Sequence, residues 1–464
     1  MKKILYIYVK GGTPLEYAFP RIAACGELHV LALAPLPTAA EEIWRPCCTD
    51  IEVLPDPAQG DELVEQLVTH AKAVGADAIL TLSEFAVLAV AHAADRLGLA
   101  GAGPGILRAR DKRRMRAAWA AADVPIPRFR RVDSAEDVRD AISTLTPPLL
   151  LKPAWGAGSV AQMVLEKPDD AASAWSRTEE ELLAGSQVGI NELYAADTDR
   201  DRLVEEIVEG FAEGWYEDGS GYGDYVSVEG IVAEGTYHPL AITAKLPTVP
   251  SFVEVASASP CVLPEPRQRR IEEVSRRAVD ALGLRTCGTH TELKLGADGR
   301  LAVIETGARF GGLLTTHQVH EVFGLDPIGM LVRQLLGEEV AYPGRMPTTG
   351  TRAAASLAVV PANAAGEPWR TRPVWNPAAV DWRSLLSSGS LLEPVPAFAM
   401  PTGRPVPEFD PGAGSRNWLG VYLLTADDPK TLRRDCDAVL NGLEAALNRA
   451  GHGADAVPST MGES

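Results

Sequence analysis

The fold reading rests on Thr289-His290-Thr291-Glu292-Leu293-Lys294-Leu295, the turn Ala297-Asp298-Gly299-Arg300, and Leu301-Ala302-Val303-Ile304-Glu305-Thr306-Gly307-Ala308-Arg309-Phe310-Gly311-Gly312. Both flanks have the alternation of a strand, and Asp-Gly between them is hairpin chemistry. In the first strand His290, Glu292 and Lys294 share one face, while Thr291, Leu293 and Leu295 take the other. In the second, Glu305 and Arg309 share a face if the chain stays extended. A short turn brings Glu292 near Glu305. Two neighbouring carboxylates need a shared cation, or one must hold a proton. A hard ion such as Mg²⁺, bound by few protein oxygens and by phosphates, meets that need. Taken alone, the pair reads more simply as two solvated glutamates on an exposed sheet.

Upstream, Leu149–Lys152 and Val160–Leu165 read as a hairpin around Trp155-Gly156-Ala157-Gly158-Ser159. Glycines at a hairpin tip let backbone N–H groups approach phosphate oxygens, and Lys152 adds a mobile positive charge. The GxxxxGK[ST] pattern of a P-loop is absent. Leu203–Ile207 is a further strand, with Glu205 and Glu206 at its end. Arg110–Ala122 reads as a basic helix. Residues 1–100 alternate strand and helix signals, with strands at Ile4–Val9, Leu28–Ala34 and Ala78–Leu82 and helices at Asp61–Val74 and Phe85–Leu97. That alternation predicts an open parallel α/β sheet. Strands at Val226–Val232 and Tyr237–Ala244 and a helix at Arg267–Leu282 precede the opening hairpin. After residue 340 the chain is Pro-rich, with strands at Ala353–Val360 and Leu419–Thr425 and a helix over Thr431–Asn448. Trp369, Trp375, Trp382 and Trp418 read mostly as packing residues.

The bulk numbers exclude several classes. The chain has 464 residues, 46% hydrophobic and 23% charged, with a formal net charge of −18. A broad nucleic-acid or anionic-membrane surface would need clustered Lys and Arg, so neither partner is expected. No run of about 18 apolar residues occurs, and MKKILYIYVKGG reads as a buried strand and turn rather than a signal peptide. The six cysteines show no CxxC pair or zinc spacing, which suits a reducing cytoplasm.

The order of the motifs is more specific than any one of them. Asp111-Lys112-Arg113-Arg114-Met115-Arg116, Val124-Pro125-Ile126-Pro127, Leu151-Lys152-Pro153, Glu205-Glu206, Ser227-Val228-Glu229-Gly230, His290-Thr291-Glu292 and Glu305 to Gly312 follow one another along the chain. In this order the chain resembles the ATP-grasp superfamily. Within it the resemblance is greatest to L-amino-acid ligases of the bacilysin-synthesising kind, over roughly residues 100–340. It is carried by the insertion from Gly210 to Asp224, Phe252-Val253-Glu254, Thr289 to Leu295, and Glu305-Thr306-Gly307-Ala308-Arg309-Phe310. The resemblance implies an α/β fold with an N-terminal open parallel α/β domain at 1–110. A linker helix and lid would occupy 111–205, and a central and C-terminal subdomain 206–464, the last two being α+β units that clamp ATP.

It also implies roles. Lys112, Lys152 and the loop residues Gly156, Gly158 and Ser159 would hold the ATP phosphates. Glu205, Glu206 and Val208 would line the adenine and ribose end. Glu292 and Glu305 would hold Mg²⁺, with Mn²⁺ as a substitute. Arg309 would stabilise the transferring phosphoryl group, and Glu254 or His290 would take the proton of the attacking amine. Two departures stand out. Gly307 replaces the asparagine that usually completes the magnesium shell, and Gly223-Asp224-Tyr225 stands where a Gly-Pro-Glu run is usual. The implied activity is ATP-dependent ligation of an amino-acid carboxylate to an amine through an acyl phosphate, as in dipeptide and antibiotic synthesis. The partners would be small amino acids, and a homodimer is compatible. Ligation or cyclisation of another carboxylate, and nucleotide binding without turnover, are the alternatives.

Overall fold

The computed structural model describes every residue except 55, 157–159, 188–200, 218, 250–252, 412 and 455–464. The described residues form three sheets. The first contains β1 (Lys3–Tyr8), β2 (Glu27–Ala32), β3 (Cys48–Val53) and β4 (Ala78–Leu80), parallel, in the order β3-β2-β1-β4. β1 reads KILYIY because helices cover both of its faces, and such a strand has no polar side. Ile4, Tyr6 and Tyr8 enter one core with Phe19 and Trp44. Leu5 and Ile7 enter another with Leu63, Leu67 and Ala89, from the helices Gly60–Val74 and Val87–Leu97.

The second sheet contains β5 (Phe129–Val132), β6 (Leu149–Pro153), β7 (Met163–Leu165) and β8 (Arg202–Glu206), antiparallel, in the order β5-β8-β6-β7. The expected hairpin is β6–β7, with Leu149 opposite Leu165.

The third sheet has eight strands: β9 (Tyr225–Ala233), β10 (Thr236–Lys245), β11 (Ala256–Ser259), β12 (Cys287–Leu295), β13 (Leu301–Gly307), β14 (Ala353–Val359), β15 (Leu391–Pro394) and β16 (Gly420–Ala426). Their order is β13-β12-β9-β10-β11-β14-β16-β15, so the C-terminal strands extend the sheet that carries the opening hairpin. The closing helix runs Pro429–Ala454. Leu432, Cys436, Val439, Leu440, Leu443 and Leu447 form its buried stripe against β14 and β16, the three-and-four spacing of an amphipathic helix. No helix among the described residues is long and apolar enough to cross a membrane.

The basic helix expected over Arg110–Ala122 is found at Lys112–Ala121; it starts two residues later because the chain breaks at Asp111, after a separate short helix, Ile106–Arg110. Asp111 is extended (φ −90°, ψ 109°), and its carboxylate accepts the Arg113 N–H at 2.9 Å. An aspartate that caps satisfies an amide the helix start would leave unpaired. The break sets Lys112 as the first residue of the second helix, where its backbone N–H donates to Ala154 O at 3.1 Å.

Gly12, beyond β1, has φ +85°, and a Cβ there would stand 2.4 Å from Leu82 O. Its own carbonyl accepts the Leu313 N–H at 3.2 Å, tying the first sheet to the loop after β13. Gly12→Ala is expected to lower stability by about 1–3 kcal/mol through backbone strain and the clash. Urea denaturation measures this.

Candidate active site

A β-bulge decides how the opening hairpin meets the site. From the turn outward Leu295 faces Leu301, Lys294 faces Ala302 and Leu293 faces Val303. Unbroken pairing would next set Glu292 opposite Ile304 and Glu305 opposite Thr291, leaving the two carboxylates on opposite faces. Instead Ile304 is an extra residue, and Glu292 pairs directly with Glu305. A bulge of this kind re-aims the side chains beyond it. Ile304 and Glu305 both line the cleft, while Val303 lies in the core and the Thr306 hydroxyl meets the Thr291 hydroxyl at 3.0 Å. The Ile304 carbonyl accepts a bond from Arg116 Nη2 at 2.7 Å.

The cleft lies between the second and third sheets and has a volume of about 210 Å³. Of the residues expected there, Lys112, Lys152, Gly156, Glu205, Glu206, Val208, Glu254, His290, Glu292, Glu305 and Arg309 all line it. Gly158 and Ser159 lie outside the described residues.

The charged groups are held in a chain of pairs. Lys112 Nζ is 2.9 Å from Glu305 Oε1 and donates to Gly156 O at 2.8 Å. Lys152 pairs with Glu205, whose other oxygen takes Arg116 Nη2 at 2.8 Å. Glu205, expected at the adenine and ribose end, therefore spends its carboxylate on two buried cations. Glu206 is likewise engaged, accepting from Arg128 Nη1 at 3.0 Å and from the Thr146 N–H at 2.9 Å. Burial opposes ionisation of Glu205, but Arg116 and Lys152 outweigh it and hold its carboxyl below the usual carboxylate range. Burial pulls the Lys152 ammonium below that of an ordinary lysine.

Arg309 lies beyond the end of β13, so its place beside Glu305 is not set by strand alternation. Its Nε is 2.7 Å from Glu84 Oε2. A Cβ on Gly307 would stand 3.1 Å from that same oxygen, so glycine here leaves room for the buried Glu84. Glu254 Oε2 is 3.1 Å from Lys245 Nζ.

His290 bonds through Nδ1 to the buried Glu229 and through Nε2 to Glu292 Oε1 at 3.3 Å. Burial would lower its pKa, but Glu229 and Glu292 outweigh it and raise the imidazole to about 9. The two carboxylates therefore favour the protonated imidazole. Glu229 also accepts the Gly311 N–H at 2.8 Å, pinning the loop after β13.

Glu292 and Glu305, cross-strand neighbours on the cleft, offer oxygens to a hard cation that keeps waters and phosphates as its other ligands. Among the described residues no cluster of three or more His, Cys, Asp or Glu is arranged around a metal position.

Sequence reasoning missed Arg116, Glu84 and Lys245. Arg116 is four residues from Lys112, so both sit on one helix face. Glu84 follows β4, at the C-terminal edge of a parallel sheet, where such sheets bind ligands. Lys245 ends β10 and carried no signal.

The ATP-grasp domain family model matches residues 145–317. Alanine–anticapsin ligase of Bacillus subtilis is 37% identical over 285 residues, which is 61% of this chain and 59% of that enzyme. The alignment thus spans less than two thirds of the curated relative. Among solved structures, L-amino acid ligase from Bacillus licheniformis superposes with a TM-score of 0.70 at 19% identity, covering 96% of this chain and 98% of that one. The biotin carboxylase domain of Hydrogenobacter thermophilus 2-oxoglutarate carboxylase, in complex with MgADP, superposes with a TM-score of 0.62 at 17% identity, over 92% and 86%. At such identities the two structures carry the fold.

Arg116→Leu is expected to cost about 3 kcal/mol, because it removes one of two counterions from a buried carboxylate and the donor from the bulge carbonyl. Glu205 has a depressed folded-state pKa, so its contribution is present above about pH 4.3 and is lost as pH falls below that. The wild-type urea midpoint should drop between pH 5 and 3, and the drop should shrink in Arg116→Leu.

Proposed function

Because the chain carries an ATP-grasp domain and has the ATP-grasp fold, we propose that it is an ATP-dependent carboxylate–amine ligase. It joins an amino acid to an amine through an acyl phosphate and releases ADP and phosphate. The observation that carries this reading is the convergence of Lys112, Lys152, Glu292, Glu305 and Arg309 on one cleft. The names of the similar ligases support an amino acid as the carboxylate, and the six free cysteines support a reducing compartment such as the cytoplasm.

Lys112 and Lys152 hold the phosphate oxygens of ATP. Glu292 and Glu305 would hold Mg²⁺, which when bound supplies positive charge against those oxygens. The substrate carboxylate attacks the γ-phosphorus and the bond to ADP breaks. Arg309 opposes the negative charge spread over the transferring oxygens. An amine then attacks the acyl carbon, and phosphate leaves. A free α-amine has a pKa of about 8, so a weak base suffices. Glu254 takes that proton in this reading, because His290 is flanked by Glu229 and Glu292, which favour its protonated form. His290, as a cation, offsets the charge of Glu292.

Purified protein with ATP and Mg²⁺ should release ADP only when amino acids are present, and chelation with EDTA should abolish release. Lys152→Met and Glu305→Gln should each lower kcat by about a hundredfold or more. ADP release indifferent to amino acids would remove the substrate class, and ATP binding without turnover would leave a nucleotide-binding module.

Glu254→Gln should lower kcat with the KM for ATP little changed, and His290→Gln should do so less severely. Steady-state kinetics separates the two. A larger loss in His290→Gln than in Glu254→Gln would transfer the base role to the imidazole.

A further inference from the structure

A second cavity, about 480 Å³, opens beside the nucleotide cleft. Glu254, His290, Glu292 and Arg309 line both, so the two meet where the reacting carboxylate must lie. The volume falls within the range of about 300–1,000 Å³ typical of small-molecule sites.

Its lining is of two kinds. Charged groups come from the first sheet and the cleft border: Glu84 pairs with Arg309, Lys245 with Glu254, and His290 with Glu229 and Glu292, while Lys10 stands on the side that follows β1. The C-terminal segment supplies Ser356, Ala358, Phe398, Ser415 and Trp418, none of them charged. Val253 and Val255 add apolar surface. Trp418 is fixed in place, because its indole N–H donates to Glu254 O at 3.1 Å. With that donor spent, the ring offers the cavity only its apolar surface.

We propose that this cavity receives an amino-acid substrate with an uncharged, apolar side chain, and that Phe398 and Trp418 set this preference. The inference rests on the ligase reading above and extends it to substrate class. A charged side chain would be desolvated against this wall without a counterion, at considerable cost. An aliphatic or aromatic one would gain contact with two rings. These residues lie beyond 145–317, the stretch matched by the ATP-grasp domain family, so that stretch together with Lys112 would carry the phosphate chemistry and the C-terminal segment the selectivity.

The test is the initial rate of ADP release with ATP and Mg²⁺, using leucine, phenylalanine, glutamate and lysine singly and in pairs with alanine. Wild-type protein should favour leucine and phenylalanine. Trp418→Ala should raise KM for phenylalanine about tenfold or more while leaving KM for ATP unchanged, and Phe398→Ala should act in the same sense. Trp418→Phe, which keeps a ring but loses the bond to Glu254 O, should fall between wild type and Trp418→Ala in KM for phenylalanine, and an unchanged urea midpoint in both variants shows that misfolding is not being read. Equal or better turnover with glutamate or lysine overturns the inference and leaves the ligase reading standing. So does an unchanged phenylalanine KM in both alanine variants, or a parallel rise in the KM for ATP. Failure of every amino acid to stimulate ADP release overturns the ligase reading, and this inference with it.

Discussion

One extra residue in one strand, Ile304, sets the geometry on which the site depends. It turns Glu305 onto the face that Glu292 already occupies. It also frees a carbonyl, which Arg116 takes, and Arg116 in turn holds Glu205 and through it Lys152. The bulge therefore links the carboxylates of the third sheet to the lysine of the second. Regular pairing would have sent one of the two glutamates into the core, where a lone charge is costly.

The charges are tolerable because each faces a neighbour of opposite sign. Glu84, Glu205, Glu229, Glu254 and Glu305 answer Arg309, Arg116 and Lys152, His290, Lys245 and Lys112. The chain as a whole carries −18, yet the cleft is lined by Lys112, Lys152 and Arg309. Global charge and local field are separate quantities, since buried pairs are screened far less than surface charges. On the ligase reading proposed above, a bound triphosphate would loosen the Lys112–Glu305 pair first, because that reading gives the lysine to the phosphates and the carboxylate to the metal.

The C-terminal third has two roles. Its strands β14, β15 and β16 and the helix Pro429–Ala454 complete the large sheet and its core. The turns between those strands bring Phe398, Ser415 and Trp418 to the second cavity. Trp375 is fully buried and is a packing residue, whereas Trp418, which looks the same in sequence, is only partly buried and faces a cavity.

Local pattern alone determined a good deal. The apolar run of β1, the stripe of the last helix, the Asp-Gly hairpin and the order of charged motifs are all readable residue by residue, because burial on one face imposes a period. Where burial imposes none, the reading failed. β3 (Cys48–Val53) is largely exposed and polar, and β11 (Ala256–Ser259) is a run of small residues. Neither has a pattern to find. The break at Asp111 turned on a side chain competing for a backbone amide, a choice between two locally sound conformations. The bulge at Ile304, the approach of Glu84 to Arg309 and the turning of Trp418 toward the cavity depend on chain segments far apart in sequence. They belong to the tertiary structure, because only packing decides which of several allowed registers, rotamers and partners a residue takes.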